Sequence, residues 1–318
     1  MYNWAIGAVK PYVRQEMYLQ VEQNSKGIIA LFLAYFIWGS MPVYWKAMEA
    51  VSSFEILGHR VIWSALFTFI LMFTHKNRMI FFEMLKEKKS QVAWLAGGGF
   101  LITFNWGLYI WAVNHGRILE TSLGYFINPL VSIFFGMMFF NERPNMMQTA
   151  ALSLAVLGVG VELFAVGSVP LVSIGLAISF GLYGVLKKTV RAKPDIALFV
   201  ETLTVSPLAL AWLIYLQKNG SAFFPYGGTM DLLLAGTGIM TSIPLILFAY
   251  GAARVPLTTI GFVQYVSPTL SFLAGVFLYS EPISMSRITT FIFIWAALAI
   301  YSADAVFSKR YRLKYRRS

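Results

Sequence analysis

The chain has 318 residues, 58% of them hydrophobic and 12% charged, with a mean hydropathy of +0.66. A water-soluble domain of this composition would lack the polar groups to cover its surface, so the chain must face lipid. The net charge of +11 is spread over loops and the C-terminal tail, which argues against nucleic acid, and the lack of cysteine excludes disulfides, thiolate nucleophiles and zinc–thiolate sites.

Residues 1–26 contain only a short apolar run, Trp4–Val9, too short for a signal peptide; they are expected to form a cytoplasmic tail. A membrane-spanning helix needs about 20 mostly apolar residues. Ten such segments follow: 27–45, 55–73, 92–113, 119–140, 147–164, 170–186, 196–216, 232–250, 257–279 and 287–305. The first carries Trp38. The second carries His59 and Arg60 near its outer end. The third carries Asn105, Trp106 and Tyr109. The fourth begins near Glu120 and carries Tyr125, Asn128 and Ser132 on one face, with Pro129 beside them. Tyr183 lies in the sixth span, Glu201 near the inner end of the seventh, and Pro244 in the eighth. The ninth repeats the polar stripe with Gln264, Ser267 and Ser271, beside Tyr265 and Pro268.

Lys and Arg favour cytoplasmic loops. With the N-terminus inside, twenty of the 25 basic residues fall on the cytoplasmic side and four outside, with Arg60 inside a span. An even number of spans with both termini cytoplasmic satisfies this bias. The basic segment 307–318 then anchors the topology and is compatible with contact to anionic membrane lipid.

At a shift of 139 residues, Pro129, Ser132, Gly136 and Glu142 correspond to Pro268, Ser271, Gly275 and Glu281. The repeat unit therefore holds five spans, an odd number, so the second copy enters the membrane from the opposite side. The expected fold is all-α, with ten transmembrane helices as two inverted five-helix repeats, 27–164 and 165–306. Inverted repeats are characteristic of transporters, because two similar halves can exchange conformations.

Polar groups within spans are costly and usually face a cavity or another helix. Trp38, Asn105, Trp106, Tyr109, Tyr125, Asn128, Tyr183, Gln264 and Tyr265 are the candidate cavity residues; helix packing is the alternative, strongest for Ser132, Ser271 and the glycines. Pro129, Pro244 and Pro268 are candidate kinks. Among the charges His59, Arg60, Glu120 and Glu201, Glu120 is the expected partner of Arg60, and Glu201 is expected to lie shallow, on the opposite side from His59. An aromatic, amide and hydroxyl site without midplane charge suits a neutral, zwitterionic or amphipathic organic solute, and His59 leaves proton coupling open. No enzymatic constellation, metal site or phosphate loop is present, and no cofactor is expected. A membrane sensor or assembly protein that binds a ligand without moving it is the alternative to a carrier.

The segments Trp38-Gly39-Ser40, Glu55-Ile56-Leu57-Gly58-His59-Arg60, Asn105-Trp106, Tyr109 to Asn114 and Gly124 to Leu130 resemble the RarD-type members of the drug/metabolite transporter superfamily, the EamA-domain proteins; the Asn141-Glu142-Arg143 ending also fits. The resemblance runs from residue 27 to about 305. It implies a permease of the bacterial inner membrane that exports small molecules such as amino acids, metabolites or drugs. It also implies a central cavity lined by the first, third, fourth, sixth, eighth and ninth spans. Gln264-Tyr265 in place of a second Tyr-Phe pair argues against strict two-fold equivalence of substrate contacts. Oligomeric state stays open.

Overall fold

The computed structural model describes residues 3–72, 75–115, 117–166, 170–190, 192–222, 224–280 and 284–314. These are helical throughout, without strands: α1 (Asn3–Lys46), α2 (Ser53–Leu71), α3 (His75–Glu87), α4 (Lys89–Asn114), α5 (Ile118–Phe140), α6 (Met146–Val166), α7 (Leu171–Thr189), α8 (Pro194–Lys218), α9 (Thr229–Ala252), α10 (Leu257–Gln264), α11 (Val266–Tyr279) and α12 (Met285–Lys314). Glu281 and the final residues 315–318 of the basic tail lie outside the described residues.

Nine stretches among the described residues are long and apolar enough to cross a membrane, the seventh through ninth of them being Thr229–Ala252, Leu257–Tyr279 and Met285–Ala305. The remaining expected span is α4, whose Asn105, Trp106 and Tyr109 lower its hydropathy. At 26 residues it is about 39 Å long, enough to cross a bilayer. The segment expected as a tail and the first span share one helix, α1, which runs unbroken from Asn3 to Lys46. The additional helix α3 occupies the connection between the second and third spans. The outward surface is apolar, with Phe104, Leu157, Leu208 and Phe277 exposed, as lipid requires.

Each half packs mainly on the other. α1 lies against α9, α10 and α11, and α7 lies against α4 and α5. α2 packs on α8 and α9, and α8 packs on α2 and α4; α5 meets α10, and α6 meets α12. Glycines set the closest crossings. A Cβ on Gly99 of α4 would lie 2.5 Å from the Glu201 carbonyl oxygen, and one on Gly238 of α9 would lie 2.4 Å from the backbone of Trp63. Both crossings join a helix of one half to a helix of the other, and the two glycines are 139 residues apart.

The ends of α5 and α11 also correspond. Asn141 and Ser280 both adopt φ 52°, and their N–H groups return to the carbonyls of Gly136 and Gly275. Residues able to take this left-handed turn stop both helices at the same place. The middle of the two elements differs. α5 runs through Pro129 and α9 through Pro244, whereas the expected ninth span divides at Tyr265, three residues before Pro268. A proline leaves the carbonyl four residues earlier without its helical donor.

Two sets of contacts define the ends of the bundle. At the α1–α2 end, the Tyr226 hydroxyl donates to Glu55 at 2.8 Å and the Tyr44 hydroxyl to the Leu233 carbonyl. At the α7–α8 end, Lys193 donates to Asn77 and Asn77 to Asp195, and Glu142 accepts the Leu257 and Thr258 N–H groups at 2.7 and 2.8 Å. Glu142 thereby satisfies the otherwise unpaired first turn of α10.

Candidate functional site

Two layers of side chains meet inside the bundle. Trp38 and Trp45 share a face of α1 two turns apart, as do Thr241 and Phe248 on α9, which separates the layers by about 10 Å. The layer nearer the α1–α2 end is built around Arg60 of α2. Its Nε donates to the Thr241 hydroxyl at 3.2 Å, and its guanidinium lies 5.1 Å from the Trp45 ring and 4.2 Å from the Trp106 ring. Tyr109 and Tyr125, whose rings are 6.0 Å apart, are its neighbours in this layer. Tyr125 is 46% exposed although it shares a helix face with buried Asn128 and Ser132.

The expected Arg60–Glu120 pair does not form. Glu120 accepts the Val172 N–H at 3.1 Å and lies 3.5 Å from Arg117, so the start of α7 holds it. The first-turn N–H groups of a helix need acceptors, and Glu120 supplies one. Arg60 is also deeper than expected, because α2 begins at Ser53 and places it two turns inside. The second span thus contributes to a site for which the family resemblance implied other spans.

The second layer is an aromatic floor. Trp38 lies 5.3 Å from Tyr35, 5.8 Å from Phe180 and 5.8 Å from Phe248, and Tyr183 stacks on Phe248 at 6.0 Å. Tyr183 and Phe248 have no exposed surface. Behind them, Glu201 accepts from the Tyr183 hydroxyl at 2.9 Å and pairs with Lys187. Glu201 is 1% exposed and Lys187 4%, so both are buried between the helices, and Lys187 is not the loop residue expected. α7 extends to Thr189 and carries Lys187 into the bundle.

Other expected residues separate into two roles. Asn128 is buried with its Oδ1 unpaired, and Gln264 accepts from Ser132 at 3.3 Å, so a polar step lies on the α5–α10 contact. Asn105 instead ties α4 to α7, donating to the Leu176 carbonyl at 2.9 Å and to Ser179 at 2.8 Å. Tyr265 is buried, its hydroxyl 3.3 Å from the Phe126 carbonyl. His59 accepts from Trp63 at 3.1 Å and lies 3.8 Å from Glu55, far from Glu201 along the bundle. Trp45, Thr241, Lys187 and Phe248 were not singled out from sequence. The i, i+7 spacing from Trp38 was the one available signal for Trp45.

Among the described residues no three His, Asp or Glu side chains approach as a metal centre requires. The arrangement provides one cation, flat apolar walls and a few hydroxyl and amide groups, which suits binding of a small organic molecule.

The EamA-like transporter family model matches residues 25–163 and again residues 168–303. The chain is 42% identical over 294 residues to the uncharacterized transporter YojE of Bacillus subtilis, covering 92% of this chain and 98% of that one. It is 40% identical over 293 residues to Protein RarD of Escherichia coli, covering 92% and 99%. Pseudomonas aeruginosa has a more distant relative named chloramphenicol-sensitive protein RarD, 27% identical over 290 residues and covering 89% and 95%. A solved structure superposes with a TM-score of 0.67 at 18% identity, covering 86% of this chain and 96% of its own, which shows a common fold.

Proposed function

Because the chain belongs to the EamA-like transporter family, among its RarD-type members, we propose that it is a secondary carrier of small organic solutes working by alternating access. The family and the apolar helices make it a multi-pass integral membrane transporter. The finer reading is that α4 is the tenth span and that residues 27–164 and 165–306 form inverted repeats. The paired helix contacts, the glycines at 99 and 238 and the matching helix stops support it.

One observation carries the mechanism: the two ends of the site differ in access. Tyr125 in the Arg60 layer is exposed, whereas Tyr35, Tyr183 and Phe248 of the aromatic floor and the Lys187–Glu201 pair are enclosed. With both termini cytoplasmic in a bacterial inner membrane, this is the outward-facing conformation. Rocking of the repeats would part Trp38 from Phe180 and Phe248 and close the Arg60 layer. The solute would bind between the layers, beside Asn128 and Gln264. The Pseudomonas relative's name, chloramphenicol-sensitive protein RarD, is a reason to include chloramphenicol among the solutes offered.

Purified protein in proteoliposomes tests this reading, with labelled amino acids, organic acids and amphipathic drugs offered with and without a proton gradient. Saturable flux above empty vesicles is expected. Absence of flux across the panel, with ligand binding retained, would instead favour a membrane sensor.

A further inference from the structure

Arg60 is not balanced by an acid among the described residues. Among the described residues no carboxylate pairs with it, and its only hydrogen bond within the protein is from Nε to Thr241. Among the described residues neither terminal nitrogen of the guanidinium has an acceptor. Acids elsewhere at this end are engaged with other groups: Glu120 with Val172 and Arg117, one Glu55 oxygen with Tyr226, and Asp231 with the N–H groups of Tyr226 and Gly227. A cation held inside an apolar bundle is costly unless something negative completes it.

The geometry specifies that partner further. A guanidinium presents two parallel N–H groups that match a carboxylate. The walls are Trp45, Trp106, Tyr109 and Tyr125, flat and largely apolar. Among the described residues no carboxylate pairs with the Arg60 layer to receive an ammonium there, and the faces of Trp45 and Trp106 already hold the guanidinium. A zwitterion would therefore leave its positive group unpaired.

We propose that this site recognises an organic monoanion, a carboxylate on a flat apolar body, and that Arg60 binds the carboxylate. The proposal deepens the carrier reading and rests on the same site. It replaces the neutral or zwitterionic solute expected from sequence with an acid.

Calorimetry on the purified full chain in neutral detergent tests it, using phenylacetate, cinnamate, salicylate and indole-3-acetate, with phenylacetamide and phenylalanine as comparators. One or more acids should bind, and Arg60→Gln should weaken that binding by roughly 30-fold or more. Phenylacetamide and phenylalanine should bind at least about 10-fold more weakly than phenylacetate. Arg60→Lys should keep part of the affinity, and Trp106→Leu should weaken every acid, so the outcome does not depend on one variant folding. Equal binding of acid and amide, no effect of Arg60→Gln in folded protein, or no binding of any acid overturns the proposal. Arg60-dependent binding of dioctanoyl phosphatidylglycerol without binding of the acids also overturns it, assigning the cation to a lipid phosphate. Flux in proteoliposomes separates the two readings. Arg60-dependent binding without flux removes the carrier and keeps the anion site, whereas flux of neutral solutes that ignores Arg60 does the reverse.

Discussion

Lys187 and Glu201 are both enclosed, so each depends on the other for its charge. Removing one partner from a buried ion pair costs about 3–5 kcal/mol, whereas replacing both with apolar groups costs far less. Lys187→Met should therefore lower the melting temperature sharply, and Lys187→Met combined with Glu201→Leu should recover most of it. Asn128 gives the opposite expectation. Its Oδ1 has no partner, so Asn128→Ala should cost about 1 kcal/mol or less in stability. Solute flux in proteoliposomes should nevertheless fall, and normal flux would remove Asn128 from the site. The sequence identified Arg60, Trp106, Tyr109 and Tyr125 because polar and aromatic groups inside apolar spans are conspicuous. It paired Arg60 wrongly because depth along a helix says nothing about which helices are neighbours. It missed Lys187 because a basic residue at the end of an apolar run looks the same whether the helix stops before it or carries it inward.

At the scale of the helix, the glycine run of α4 separates packing from composition. A Cβ at Gly97 meets nothing within 4 Å, whereas one at Gly99 meets the Glu201 backbone. Gly99→Ala should destabilise by about 1–3 kcal/mol through overpacking. Gly97→Ala should be neutral or stabilising by about 0.5–1 kcal/mol, since alanine is the better helix former. Detergent melting curves of the two variants check this. The existence of the helices was legible from hydropathy alone, and their boundaries were less so. Hydropathy marks where the apolar span begins but not that α1 is already helical from Asn3, and the amphipathic α3 is too polar to register as a span. The interruption at Tyr265 was not legible either, because Pro129 and Pro268 look alike in sequence yet only one half breaks.

At the scale of the molecule, the difference in access between the two layers is directly measurable because the chain has no cysteine. Tyr125→Cys should react readily with a membrane-impermeant maleimide added from the side of the α1–α2 connection, and Phe248→Cys should stay protected. Equal labelling at both positions in the parent background would contradict the outward-facing assignment.

The interleaving of the halves bears on how the protein is made. The main contacts of α1 are all with helices of the second half, so the helix inserted first waits until α9, α10 and α11 emerge before it can be covered. During synthesis the early helices stand in lipid as a loosely associated set, open to quality-control proteases. Neither half should accumulate alone, whereas two fragments divided between α6 and α7 should complement each other when produced in the same cell. Assembly is then a late event, completed only once the chain has almost left the ribosome.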